Sequence, residues 1–144
     1  MPSETYLVAY EGDDQDMLDF AIERARKNGA RLHIVHILEW SPYSFLTPEE
    51  LAARHKTRKA ELSRAEEAIT NPAVVHVKEA GIEAVTSELR YGNVADLLAE
   101  IAKEQEATFI YVGRSGGSGL SARVFGSVPI ALAQVSTVPV VIVP

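Results

Sequence analysis

Residues 6–14 read YLVAYEGDD, an apolar run that turns abruptly polar and leads into a stretch of helical character. The apolar start predicts a short buried strand, and the Glu-Gly-Asp that follows predicts a tight turn. Either Asp13 or Asp14 can cap the next helix, which is expected to run to about Lys27 and to close at Asn28-Gly29 in the left-handed conformation. Apolar residues recur on one face of this helix: Met17, Phe20 or Ala21, Ile22 and Ala25. A strand followed at once by a helix predicts the first unit of an α/β fold.

The same alternation continues to the end of the chain. Further strands are predicted at residues 31–38, 84–89, 108–112 and 138–143, and further helices at residues 48–69, 94–102 and 127–135. Thr47-Pro48 has the form of a helix start, Asn93 is a candidate cap, and Asn71-Pro72 is expected to end the second helix. Residues 74–77 fit either the third strand or the connection before it. The order predicts a single domain, residues 1–144, of the α/β class, with a parallel sheet between two helical layers.

Composition excludes several classes of protein. The 144 residues include no cysteine, so disulfide scaffolds, thiol catalysis and cysteine–zinc sites are excluded. The hydrophobic fraction of 47% is too high for a disordered chain. A net charge of −6 argues against binding to a nucleic-acid backbone. With no apolar stretch long enough for membrane insertion and no secretory signal at the start, a cytoplasmic protein is expected.

The segment between the predicted fourth strand and the last helix carries the clearest sign of function. Residues 113–127 read GRSGGSGLSARVFGS, and after Glu106 the only charged side chains are Arg114 and Arg123. Glycines let several backbone N–H groups approach one anion, and the helix beginning at Ser127 adds free N–H donors and a positive dipole end. A flexible surface loop and an uncharged core segment are the alternatives. The segment lacks the Gly-Lys pair of a Walker A motif, and no acidic residue follows to complete a dinucleotide motif.

The spacing of small residues in this segment is more specific than its composition. Gly113, Gly116 and the Gly126-Ser127 pair follow the pattern G-x2-G-x9-G-[ST]. Together with the opening strand, the His36-Ile37 pair and the closing residues 138–143, this pattern resembles the ATP-binding subgroup of the universal stress protein family. The resemblance implies an adenine-nucleotide-binding, Rossmann-like fold with strand order 3-2-1-4-5. It also implies homodimers, often paired through the last strand, residues 138–143.

The resemblance implies a nucleotide-binding site in this chain. Four residues match the motif and would hold ribose and phosphates: Gly113, Gly116, Gly126 and Ser127. Gly117 and Val128 are placed to add backbone donors, and Ile37 matches the position that packs on adenine. Ala9 and Tyr10 lie where the first strand would meet the base. Arg114 and Arg123 are candidates to pair with a phosphate.

Glu11 departs from the family pattern, which usually has aspartate at this position. Its expected role is to bind the ribose or to help hold Mg²⁺ carried by the nucleotide, and Asp13 is an alternative carboxylate. His36, by contrast, is interpreted as a packed, hydrogen-bonded side chain rather than a ligand. Trp40, Tyr43 and Phe45 cluster after the second strand, where they either cover adenine, pack under the next helix or form a partner surface.

Three functions from different classes remain open at this point. The first is a regulator that binds ATP, or ADP or AMP, and acts as a dimer in stress response or on an unidentified protein partner such as a transporter. The second is a slow ATPase, although the segment offers no lysine and no recognisable catalytic base. The third is an interaction module that keeps the fold and binds no nucleotide. The sequence favours the regulator, because the residues present suit binding better than turnover.

Overall fold

Five parallel strands form one sheet in the order β3-β2-β1-β4-β5, as predicted. A computed structural model describes residues 4–39, 47–114 and 127–144 of the chain. The strands in these ranges are β1 (Thr5–Ala9), β2 (Arg31–Glu39), β3 (Val85–Gly92), β4 (Phe109–Gly113) and β5 (Val140–Val143). The winding direction reverses between β1 and β4, which are hydrogen-bonded neighbours although about a hundred residues separate them.

Helices cover both faces of the sheet and make the predicted three layers. They are α1 (Gln15–Asn28), α2 (Pro48–Ala65), α3 (Asn71–Glu79), α4 (Val94–Glu104) and α5 (Ser127–Val135). The core on one face is built from α1, α3 and strand residues such as Tyr6 and Val8. The core on the other face packs Leu7 and Val35 against α4 and α5. In the described ranges, none of these helices combines the length and the apolarity needed to cross a bilayer.

Central strand β1 has a neighbour on each side and is buried on both faces because helices pack above and below it. Val8 pairs with Ile34 on β2 and with Tyr111 on β4. Tyr6, Leu7 and Val8 are at most 1% exposed. This explains why residues 6–10 read as a continuous apolar run instead of alternating with polar residues. The carboxyl ends of β1 and β4 consequently lie side by side at one edge of the sheet.

The helical region after α2 differs from the expectation. Asn71-Pro72 does not end the helix, and residues 74–77 belong to α3 rather than to a strand or a connection. A π-helical turn, Glu66–Thr70, joins α2 to α3, and the N–H of Asn71 donates to the carbonyl of Glu66. The wider turn accommodates the proline ring and its missing N–H, which would break a regular α-helix. Ala73 and Val77 of α3 face the core one turn apart, with Val77 fully buried, whereas Val75 is 55% exposed.

The predicted helix ends are mostly confirmed. Gly29 ends α1 with a φ of 66°, and the Thr47 hydroxyl accepts a hydrogen bond from the N–H of Glu50 at 3.1 Å. The Asn93 side chain accepts from the N–H of Asp96 at 3.0 Å and caps α4. On α1, Ala21 rather than Phe20 faces the core, since Phe20 is 42% exposed.

The Asn93 cap gives a direct test of this local structure. We expect Asn93→Ala to lower the free energy of unfolding by about 1 kcal/mol, because one N–H of the first turn of α4 loses its partner. For a domain of this size the melting temperature should fall by roughly 2–5 °C in calorimetry. The control is Asn93→Asp, which keeps an accepting oxygen and should melt within about 1 °C of the parent. Equal losses in both variants would show that the cap does not stabilise α4.

Candidate functional site

A cleft opens at the carboxyl edge of the sheet, where β1 and β4 end side by side. Its volume is about 440 Å³, including the open mouth. The amino-terminal ends of α4 and α5 form the opposite wall. The residues that line it are Ala9, Tyr10, Glu11, Asp14, Val35, Ile37, Val94, Leu98, Val112, Gly113, Val128 and Pro129. The cleft therefore lies at the topological switch point, where open α/β sheets usually bind ligands.

The interior of the cleft is apolar. Val35 and Ile37 from β2 and Val112 from β4 belong to the core on the α4–α5 face of the sheet. Leu98 on α4 is fully buried, and Val94 lies one turn earlier on the same side of the helix. Such walls favour a flat apolar group over a charged one.

Tyr10 contributes to the cleft differently from its neighbours. Its ring is buried in the core on the α1 face, and its hydroxyl donates to the carbonyl of Gly12 at 3.4 Å. Its backbone N–H donates to the carbonyl of Val35 at 2.9 Å. The ring is thus committed to the core, and the backbone is the part of Tyr10 that borders the cleft.

Two carboxylates stand at the mouth of the cleft. Asp14 precedes α1, but its side chain does not cap the helix; instead Asp14 Oδ1 accepts from the N–H of Glu11 at 3.3 Å. Desolvation raises the pKa of Glu11 above its ordinary value, and the nearby charges of Asp14, Asp13 and Glu39 raise it further. Desolvation also raises the pKa of Asp14, against hydrogen bonds from the backbone that lower it. Ionisation of the two carboxylates at the mouth is therefore unfavourable, and a bound cation or hydroxyl donors would stabilise their negative charge.

The structure brings six of the residues predicted for the site into this one cleft: Ala9, Tyr10, Glu11, Ile37, Gly113 and Val128. Ser127 begins α5 directly before Val128. Arg114 follows Gly113, is exposed, and donates its backbone N–H to the carbonyl of Val143 at 2.8 Å. The other predicted site residues lie outside the described residues, as do the three aromatic residues after β2: Gly116, Gly117, Arg123, Gly126, Trp40, Tyr43 and Phe45.

Six lining residues were not predicted as part of the site: Asp14, Val35, Val94, Leu98, Val112 and Pro129. Val94 and Leu98 are four residues apart on α4, so they share a face and reach the cleft together. The sequence marked both as inward-facing, yet it did not tell whether they would meet the sheet or a ligand. Asp14 was one of two candidates for the helix cap, which is the common role of aspartate at that position.

Metal binding by protein side chains alone finds no support in the described ranges. No group of three or more His, Asp or Glu side chains there is arranged to hold a metal ion. Glu11 and Asp14 offer oxygen ligands, which suit Mg²⁺ when phosphate oxygens and water complete its coordination. A role for Glu11 with Mg²⁺ therefore stays a prediction that depends on a bound nucleotide.

The raised pKa of Glu11 predicts a pH-dependent stability. Because the folded state binds this proton more tightly than the unfolded state, folding is favoured at low pH and penalised once the carboxyl ionises. We expect Glu11→Gln to melt about 1–3 °C higher than the parent at pH 7, a small gain because the group is exposed. The gain should disappear as pH falls to about 4, where the parent carboxyl is protonated too.

The matched control for this measurement is Glu23→Gln, which removes an exposed carboxylate on α1 outside the cleft lining. Calorimetry of the three proteins at both pH values decides the question. A melting temperature of Glu11→Gln below that of the parent at pH 7 would contradict repulsion at the mouth. An equal gain from Glu23→Gln would show a general charge effect instead.

Several solved structures are similar to this chain over nearly its whole length. "Universal stress protein UspA from Lactobacillus plantarum" is similar in structure, with a TM-score of 0.84 and 19% identity over 100% of this chain and 99% of that one. A universal stress protein from Archaeoglobus fulgidus in complex with dAMP has a TM-score of 0.64 and 23% identity, covering both chains fully. Another, solved in complex with cAMP, has a TM-score of 0.66 and 24% identity over 98% of this chain and 97% of that one. At these sequence identities the structural similarity shows the fold alone.

Similarity in sequence is more specific. "Universal stress protein YxiE" of Bacillus subtilis (strain 168) is 32% identical in an alignment of 152 positions, which spans 95% of this chain and 96% of that protein. The model of the universal stress protein family matches residues 4–144. The observed strand order 3-2-1-4-5 is the order that the resemblance to this family implied. The chain therefore belongs to the universal stress protein family.

Proposed function

We propose that this protein binds an adenine nucleotide, with ATP as the expected ligand, and acts as a dimeric regulator rather than as an enzyme. The observation that carries the proposal is the cleft at the ends of β1 and β4. It combines an apolar interior, two carboxylates at the mouth and the first turn of α5. The base of a nucleotide would fit the apolar interior, its ribose would meet the carboxylates, and its phosphates would meet the first turn of α5. The dAMP and cAMP complexes of related proteins support the adenine class, and ATP with Mg²⁺ is the finer proposal.

The base belongs in the apolar interior. Ile37 on β2 and Val94 at the start of α4 both line the cleft. Burial of an adenine ring against such apolar side chains is favourable, because the ring is uncharged and no ion loses its hydration. The backbone of Ala9 and Tyr10 borders the same space and would face an edge of the base.

The phosphates belong at α5 rather than at α4, although both helices begin at the cleft. The first turn of α4 carries Asp96, and the Asn93 side chain already occupies one of its N–H groups. The first turn of α5 has no acidic residue. The first backbone N–H groups of α5, to which Pro129 contributes none, and the positive end of the helix dipole would favour an anion. Gly126 and Ser127 adjoin this end in sequence and Gly116 precedes Gly126 by nine intervening residues, so we expect the glycine segment and the helix to hold the same phosphates.

Nucleotide binding is tested by identifying what co-purifies with the protein by mass spectrometry and by measuring thermal shifts with ATP, ADP and AMP. We expect millimolar ATP to raise the melting temperature by several degrees, because a ligand at about 100 times its Kd stabilises by about 2.7 kcal/mol. Gly116→Val combined with Gly126→Val should abolish this shift, because the added side chains prevent the backbone from approaching the phosphates.

The matched control is Ser118→Val combined with Ser121→Val, which adds similar bulk to the same segment at positions outside the motif. This variant should keep at least half of the thermal shift. A parent protein that melts at the same temperature with and without each nucleotide would refute the proposed binding. That result would leave the interaction module as the better interpretation.

The dimer is proposed through β5, which is an edge strand of the sheet. Apolar side chains remain exposed around it: Ile142 is 46% exposed, Ile130 63% and Val135 44%. An uncovered edge strand beside exposed apolar residues is a ready surface for pairing with a second copy. Because α5 leads from the cleft to β5, ordering of its first turn by a phosphate would reach the same surface. In the proposed regulator, nucleotide binding would thereby affect the formation of the dimer.

Ile142→Glu tests the proposed dimer surface. We expect this variant to sediment as a monomer at micromolar concentration where the parent sediments as a dimer, since two buried charges would face each other across the interface. Val75→Glu is the control, because Val75 is 55% exposed and lies on α3 at the other face of the sheet. Equal sedimentation of the parent and Ile142→Glu would place any dimer elsewhere.

A further inference from the structure

We propose that His36 on β2 and Ile69 in the π-helical turn are positioning residues that hold the turn at Tyr10–Gly12 so that Glu11 stands at the mouth of the cleft. Neither side chain lines the cleft. The inference rests on the proposed function, because it concerns how Glu11 is presented to the ribose or to the metal of a nucleotide.

His36 holds the turn from the side of the sheet. It is only 8% exposed, and its Nδ1 lies 2.9 Å from the carbonyl oxygen of Tyr10. A carbonyl oxygen only accepts, so Nδ1 carries the hydrogen and donates it. The N–H of Tyr10 donates in turn to the carbonyl of Val35. Both backbone polar groups of the residue before Glu11 are therefore fixed by β2.

Ile69 holds the turn from the opposite side, at Gly12. Gly12 has a φ of +106°, and a Cβ built there would lie 3.2 Å from Cγ1 of Ile69. The isoleucine thus packs directly against the backbone of the turn, in a place that only glycine leaves open. The same side chain also packs against the core on the α1 face. A shift of the π-helical turn would consequently move the residue that follows Glu11.

The π-helical turn brings Ile69 to this place. Thr70, at the end of the turn, is 1% exposed, and its hydroxyl donates to the carbonyl of Glu66 at 3.3 Å. The extra residue of a π-turn changes the direction of the side chains that follow it, and such turns are frequent at functional sites. Here it is the element through which α2 and α3 contact the β1–α1 connection.

Glu11 is thereby flanked by fixed backbone on each side. His36 holds the carbonyl before it, Ile69 packs on the glycine after it, and Asp14 accepts its own N–H. Among the described residues, the carboxylates that act on Glu11 are Asp13 and Asp14 before α1 and Glu39 at the end of β2. Fixing the backbone on both sides of Glu11 limits where its side chain can reach, and so keeps the carboxylate at the cleft.

The test compares His36→Leu, His36→Asn and Ile69→Ala, each in the parent and in a Glu11→Gln background, by calorimetric titration with ATP in the presence of Mg²⁺. Asn Nδ2 donates from nearly the position of His Nδ1, so His36→Asn should bind within about twofold of the parent. His36→Leu and Ile69→Ala should each weaken binding by at least about fivefold in the parent. In the Glu11→Gln background the same changes should cost less than about twofold, since they act through the carboxylate.

Equal losses in both backgrounds would overturn the proposal, because purely structural effects are additive. A second readout needs no nucleotide: hydrogen exchange of the backbone N–H of Glu11, which donates to Asp14. We expect this N–H to exchange as in the parent in His36→Asn, and at least about tenfold faster in His36→Leu and Ile69→Ala, because losing either contact loosens the turn. Unchanged exchange in both of these variants would overturn the positioning roles. A parent that binds no ATP would refute the proposed function alone, and the exchange rates would still decide this inference.

Discussion

The pairing of β1 with β2 on one side and β4 on the other is the constraint from which the rest of the structure follows. Val8 has a partner on each neighbour, and the strand is buried on both faces. Burial of this kind requires an uninterrupted apolar strand and helical layers above and below. Because the chain winds away from β1 in opposite directions, the helices that follow β1 and β4 lie on opposite faces of the sheet. The cleft is the space that this reversal leaves open.

The cleft divides into ends of different character because the elements around it differ in charge. The end near β2 and α4 is apolar, and α4 has its own cap and an acidic first turn. The end near α5 has no acidic residue in the first turn. Glu11 and Asp14 also line the cleft. The ligand proposed above has a group that suits each of these regions: an apolar base, the hydroxyls of a ribose, and phosphates.

The β1–α1 connection is where packing and chemistry meet. Its backbone hydrogen-bonds to β2, its glycine packs on the π-helical turn, and its carboxylate borders the cleft. An element far from the cleft in sequence, the α2–α3 region, thus touches the residue next to the candidate ligand contact. Coupling of this kind needs only rigid packing, since close-packed interiors transmit small shifts instead of absorbing them.

The sequence by itself determined the alternation of strands and helices, most helix ends and the central place of residues 6–10, because these depend on local periodicity and on side chains that cap their own helix. The spacing of the glycines likewise indicated the family. Only the tertiary structure decided that Asn71-Pro72 continues a helix through a π-turn, since the cost of a proline depends on the turn around it. It alone decided that Asp14 turns back to Glu11, and that Val94 and Leu98 reach the cleft. Local sequence does not record such choices, because each depends on which distant residue lies opposite.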